Sequence, residues 1–208
     1  MAKILVNACP NCGANVSGDA DVCEFCGSSY TIKNLSALAK MDRSIKLKYI
    51  TEYNKVLTDN AGNIPIAVSL ALCHIDAQNY EFALNLLKKL ADNDCQDPNV
   101  FYYVSLAMLD GKKPRLHHID RIRKVESYLK SAQYLSGGTF GLYYILQAAI
   151  KRDYYEYYMF NMNAGDNCKV LLERANNFEL DVDEIDLLLR LLKLDDSDRT
   201  YFDSILAI

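Results

Sequence analysis

From residue 33 onward the apolar residues recur at three- and four-residue intervals, Gly and Pro fall at boundaries, and no sustained two-residue alternation occurs. That pattern predicts a helical body. One step, an apolar or small residue followed by another four on and another three further, occurs at Tyr49/Tyr53/Val56, Ala83/Leu87/Leu90, Val125/Leu129/Ala132 and Cys168/Leu172/Ala175. Any amphipathic helix offers such a step. The near-regular distances between first members, 34, 42 and 43 residues, point further, to stacked helical pairs. The N-terminal stretch has no such periodicity. It holds two short β-prone runs, Ile4-Leu5-Val6 and Ser29-Tyr30-Thr31-Ile32, around a segment rich in Cys, Gly and Asn.

The helical signals carry punctuation. Asp42 or Ser44 can cap a helix running to about Thr58, which Asn60-Ala61-Gly62-Asn63 ends. Near the C-terminus, Asp181-Val182-Asp183-Glu184 places carboxylates on the open N–H groups of a helix through about Lys193, as the helix dipole favours. The same acidic run lacks the Gly and closing Glu of a calcium loop. The expected organisation is a small module over residues 1–32, a linker over 33–41, and a helical domain over 42–208 with capping helices at its end.

Four of seven cysteines form Cys9-Pro10-Asn11-Cys12-Gly13 and Cys23-Glu24-Phe25-Cys26-Gly27, with ten residues between the pairs. Each CxxC turn aims two thiolates at one point, and the Gly after each second Cys supplies the positive φ that closes the turn. Two turns together make a tetrahedral four-thiolate shell, with no position left for water or substrate, so the predicted ion is one structural Zn2+ per chain. Disulfides fit poorly with the absence of a signal sequence, and a redox CxxC needs a βαβ setting. Mononuclear iron uses the same four thiolates and stays open. Residues 3 to 32 resemble the short zinc ribbons at the N-termini of bacterial cytoplasmic proteins, which implies two hairpin turns in a small β module. Cys73, Cys95 and Cys168 have no partner at ligand spacing and read as small buried hydrophobes.

Leu70-Ala71, Asn79-Tyr80-Glu81-Phe82-Ala83, Leu87 and Leu90 resemble a tetratricopeptide repeat, and Asp97-Pro98 with Tyr103, Leu106 and Ala107 begins a second unit in the same way. Small residues facing each other let two helices approach closely, and neither helix can bury its apolar stripe alone. The Pro comes about three residues later than the family pattern places it, and later units carry insertions. The fold class is therefore mainly α: a small β zinc ribbon followed by a tetratricopeptide-like stack of helical hairpins. The resemblance also implies that first helices line a concave surface, placing Val68, Leu72, Ile75, Phe101, Val104 and Met108 in an apolar groove for a partner helix or for the chain's own C-terminal helix.

Composition narrows function mainly by exclusion. Against 23 Lys and Arg stand 27 Asp and Glu, a net charge of −4, so only local patches offer a case for nucleic acid or anionic lipid. No apolar run approaches the roughly 20 residues of a membrane span. The opening Met1-Ala2-Lys3-Ile4-Leu5-Val6-Asn7 turns polar too soon for a signal peptide, which places the chain in the cytoplasm. Three His, no phosphate loop and no nucleophile elbow leave little for catalysis, and His74 falls where a repeat core packs.

The basic stretch 112–124, with Arg121, Arg123 and Lys124, reads first as a solvated connection and second as a dock for an acidic segment or a phosphate. A second basic run, Lys33 to Lys48, reads as linker and helix face. The ribbon itself is acidic, with Asp19, Asp21 and Glu24 against Lys3, which disfavours DNA. Fifteen tyrosines cluster, most densely at Tyr154-Tyr155-Glu156-Tyr157-Tyr158-Met159-Phe160, which is aromatic on every face of a turn and cannot bury all its rings one way. The expectation is a non-catalytic adaptor that binds another protein. The alternative is a nucleic-acid-associated regulator using the loop 112–124.

Overall fold

The computed structural model describes residues 6–16, 20–160 and 167–206. The protein is mainly helical and divides into two compact units, the first running through Cys95 and the second starting at Gln96.

In the first unit, residues up to 32 form two knuckles, and four helices follow: α1 (Leu35–Ala39), α2 (Arg43–Asp59), α3 (Ile64–Asp76) and α4 (Tyr80–Ala91). Residues 33–41, expected as a linker, carry α1. The Asn34 side chain accepts from the Ala37 N–H at 3.0 Å and starts that helix, which buries Leu35 and Leu38. Asp42 precedes α2 without a side-chain cap bond, whereas Asn63 caps α3 through the Ile66 N–H at 3.3 Å, with Pro65 in the first turn where its missing N–H costs nothing. Helix α3 is apolar nearly all round because α1, α2 and α4 all pack on it. Its end needs a left-handed residue, Gln78 at φ +59°, and the Asn79 N–H closes back on the His74 carbonyl at 2.8 Å.

The second unit contains α5 (Pro98–Met108), a 3₁₀ turn Pro114–Leu116, α6 (Ile119–Leu135), α7 (Gly141–Ile150), α8 (Cys168–Ala175), α9 (Val182–Leu191) and α10 (Asp196–Asp203). Helix α7 runs on through a π-helical turn, Lys151–Glu156. Consecutive helices pack as pairs, α5 on α6 and α7 on α8. Asp97 caps α5 ahead of Pro98, and Asp181 accepts from the N–H groups of Asp183 and Glu184 to start α9. Gly141 marks a close approach: a Cβ there would lie 2.6 Å from Leu180 Cδ2 and 3.1 Å from Phe178 Cβ.

The four-and-three register identifies the buried stripe of α2, α4, α6 and α8. Eleven of its twelve residues are buried, and only Leu90 is half-exposed. Helix pairing also encloses most of the residues expected to line a groove. Leu72, Ile75 and Val104 are fully buried, Val68 and Met108 nearly so, and Phe101 is half-buried with its ring 6.4 Å from that of Tyr128. All but Phe101 are buried within their respective units, because α3 and α5 are enclosed on most faces.

The structure does not show the expected β ribbon. Among the described residues there is no strand, only isolated antiparallel bridges, Ala8 with Asn15 and Val22 with Ser29. Ile4 and Leu5 of the first β-prone run lie outside the described residues. In the second run the Tyr30 N–H donates to the Asp21 carbonyl at 2.9 Å, but other backbone groups are taken by side chains. Tyr49 Oη donates to the Ser29 carbonyl at 2.7 Å, and Tyr53 Oη to the Tyr30 carbonyl at 2.9 Å. Ser69 Oγ accepts from the Ile32 N–H at 3.0 Å and lies 3.2 Å from its carbonyl.

Candidate metal centre

The two knuckles repeat one backbone pattern. The Cys9 N–H donates to the Ala14 carbonyl at 2.8 Å and the Gly13 N–H returns to Cys9 at 2.9 Å. The Cys23 N–H donates to Ser28 at 2.9 Å and the Gly27 N–H returns to Cys23 at 2.8 Å. Gly13 and Gly27 hold φ at +76° and +69°. No atom stands within 4 Å of where a Cβ would lie at either glycine, so the turn demands the positive φ rather than the space.

Cys9, Cys12, Cys23 and Cys26 place their four sulfurs within 4.8 Å of one another. The cross-knuckle distances are 3.7 Å from Cys9 to Cys26 and 3.6 Å from Cys12 to Cys23. A regular tetrahedron built on metal–sulfur bonds of about 2.3 Å has edges of about 3.8 Å. A disulfide needs a separation of about 2.05 Å, so the cysteines are arranged as ligands rather than as bridges. Cys9 and Cys23 are buried and Cys12 and Cys26 face outward, so the centre has one sheltered and one exposed edge. Burial pushes the Cys9 thiol up to about 12, whereas hydrogen bonds from the Ser28 side chain and backbone bring Cys26 down to about 6. Part of the shell is therefore ready as thiolate, and a cation would draw off the remaining protons. The Asn11 amide reaches across from the first knuckle to Ser28 Oγ at 2.7 Å and fixes the two loops on each other. Four sulfurs of this geometry could hold one metal ion, and a shell of four would leave no ligand position open.

The other candidate residues are dispersed. His74 rests its ring 4.0 Å from that of Phe82 with Nε2 buried and unpartnered, and burial lowers its pKa, so it is a neutral packing residue. Cys73 and Cys168 are buried, and burial raises each thiol to about 12, far from a nucleophile at neutral pH.

In the stretch 112–124 the cations divide into two groups. Lys113 pairs with Asp195, and Arg115 meets Asp195 at 2.8 Å and Asp153 at 3.4 Å, while its backbone N–H donates to Asp153 at 2.9 Å. Arg121, Arg123 and Lys124 remain exposed on α6, with Arg123 only 4.0 Å from Asp120. His117 places Nε2 2.9 Å from the Leu109 carbonyl, and burial lowers its pKa.

Asp153 and Asp195 were not among the residues that sequence reasoning singled out. Their partners lie 38 and about 80 positions away, and the signal available for Asp153 was the charged run Lys151-Arg152-Asp153 next to the tyrosine run.

The chain matches no family model, no curated protein and no solved structure. Among the described residues no helix is long and apolar enough to cross a membrane.

Proposed function

We propose that this protein is a cytoplasmic, non-catalytic adaptor that holds one structural Zn2+ in its four-cysteine knuckles and presents tetratricopeptide-like helical hairpins to a protein partner. The observation that carries the reading is the four-sulfur cluster. Its spacing fits a closed shell, which stabilises a fold rather than activating water or substrate. Zinc is favoured over iron because structural four-cysteine sites with this ligand spacing are characteristically zinc sites. The tetratricopeptide likeness is supported by the buried stripe that recurs on every second helix and by small residues, Ala71, Ala83, Ala107 and Ala132, fully or almost fully buried within packed pairs.

Against the nucleic-acid reading, Lys113 and Arg115 are engaged by carboxylates, although Arg121, Arg123 and Lys124 remain exposed on α6. The test is capture of the tagged chain from its source cells with cross-linking, then reconstitution of the enriched protein with purified chain. A stoichiometric complex that resists nuclease supports the adaptor. A nuclease-sensitive complex, or turnover of a substrate by the purified chain, overturns it.

A further inference from the structure

The two knuckles match in backbone but not in the donors they offer their outer cysteines. Cys26-Gly27-Ser28 and Cys12-Gly13-Ala14 occupy equivalent places, so the hydroxyl beside Cys26 has no counterpart beside Cys12. Asn11 donates to Ser28 Oγ at 2.7 Å, which leaves the Ser28 hydroxyl hydrogen for the Cys26 sulfur, and the same amide lies 3.9 Å from that sulfur. Phe25 holds the place of Asn11 in the second knuckle and has no donor to give back. Among the described residues no side-chain N–H or O–H donates to Cys12, whose sulfur stands 3.6 Å from that of Cys23.

Access differs in the same sense. Cys9 and Cys23 are each 2 % exposed, whereas both outer cysteines face solvent. A cleft of about 470 Å³ between the first knuckle and α2 opens beside Cys12, with Leu47, Lys48, Thr51 and Glu52 along it, and Cys26 is not part of it. The Glu52 carboxylate is met by Lys55 at 3.5 Å in the same cleft. Lys48 makes no ion pair among the described residues, and its ammonium donates at 3.3 Å to the carbonyl of Asn11, the neighbour of Cys12 in the chain. The cleft therefore brings a positive charge to the one outer sulfur that lacks side-chain donors.

We propose that Cys12 is the site at which hydrogen peroxide or another small hydroperoxide oxidises the four-sulfur centre, with Cys23 as the resolving thiolate. The proposal rests on the zinc site proposed above and adds a modification that empties it. A hydrogen bond to sulfur lowers its nucleophilicity, so the undonated Cys12 is attacked ahead of Cys26, and exposure favours it over Cys9 and Cys23. The Cys12 thiolate attacks one peroxide oxygen, the O–O bond breaks, and hydroxide leaves, with Lys48 in the cleft to stabilise the departing charge. The product at Cys12 is a sulfenic acid. The Cys23 thiolate then attacks that sulfur, the S–O bond breaks, and a second hydroxide leaves. Two thiolates have given two electrons to the peroxide, and an S–S bond of about 2.05 Å replaces the 3.6 Å separation. Cys9 and Cys26 alone cannot close a four-ligand shell, so the ion is released.

The test treats the metal-loaded full chain with hydrogen peroxide, follows metal release with a chromophoric chelator, and maps disulfides by mass spectrometry of unreduced peptides. One metal is expected to leave per Cys12–Cys23 disulfide, and dithiothreitol with added zinc is expected to restore the starting content. Two variants keep all four ligands, and their metal content before oxidation checks that the knuckles have formed. Ala14→Ser gives Cys12 the hydroxyl that Cys26 has and is expected to slow release about threefold. Ser28→Ala takes that hydroxyl from Cys26 and is expected to raise the share of Cys9–Cys26 disulfide. A first disulfide other than Cys12–Cys23, metal release without a disulfide, or an Ala14→Ser protein that releases at the parent rate overturns the proposal. A chain that keeps its metal and its thiols under peroxide overturns it while the zinc site stands, and a chain that holds no metal before peroxide is added overturns both.

Discussion

The contacts that fasten the run after the second knuckle in the first unit are neutral, whereas the first knuckle receives one charged donor, Lys48 Nζ to the Asn11 carbonyl at 3.3 Å. Hydroxyls of Tyr49, Tyr53 and Ser69 reach the backbone of Ser29, Tyr30 and Ile32, so that run is held to its helices by groups that neither titrate near neutral pH nor respond to salt. In the second unit the equivalent work around the π-helical turn is ionic: Asp153 with Arg115, Glu126 with Lys151, and Asp198 with Arg152 at 2.9 Å. Burial holds the Asp153 carboxyl above its usual range despite the nearby guanidinium, a sign that its charge is only partly compensated. On the proposed reading, one unit depends on an ion that it must acquire, and the other on charges that it already carries. The two should answer to different perturbations.

The largest separation comes from the metal. Apparent zinc binding of about 10–16 kcal/mol is coupled to the folding of such modules, so Cys23→Ser is expected to abolish amide-exchange protection over residues 6–32. Protection across α5 to α10 should be unchanged. Loss of protection in both units together would show that they are not independent cores.

Two packing variants make a matched pair. Ala83→Leu forces a larger side chain into the α3–α4 pair, and Gly141→Ala meets Phe178 and Leu180, each at a cost of about 1–3 kcal/mol in its own unit. Denaturant melts resolved by unit-specific probes check this, and an Ala83→Leu protein with the parent midpoint would contradict the register.

The register itself was legible in the sequence because burial on one helix face is a local, periodic constraint. The four-cysteine cluster was legible because two turns with fixed spacing leave few alternatives. What escaped was set by distant partners. Asn34 starts a helix in an expected linker because α3 offers a surface for Leu35 and Leu38. The 29–32 run forms no strand because hydroxyls from α2 and α3 occupy its backbone. Leu72 and Val104 vanish into the interior because α3 and α5 are enclosed rather than lining a groove. The aromatic run at 154–160 is visibly too large to bury in one direction, but the Arg115 and Glu126 contacts that orient it come from residues dozens of positions earlier.

A smaller effect follows from Tyr53→Phe, which leaves the buried Tyr30 carbonyl without its donor and should cost the first unit about 1–2 kcal/mol, independent of salt. A salt-dependent loss would mean that the knuckles are held electrostatically.

The smallest effect belongs to Asp195, exposed and held below the usual carboxylate value of 3.8 by hydrogen bonds from Lys113 and Arg115. A depressed folded pKa contributes stability that is present above the unfolded value and is lost as pH falls through the folded one. The second unit should therefore lose this contribution below about pH 4, and Asp195→Asn should flatten that part of the profile. A variant profile that superimposes on the parent's in that range would contradict the assignment.

The central claim is the closed four-sulfur centre, and X-ray absorption on chain purified without chelator, together with metal analysis, tests it most directly. The account predicts one zinc per chain with sulfur as the only neighbour, at about 2.3 Å. A chain without metal, or a shell containing nitrogen or oxygen ligands, would contradict it.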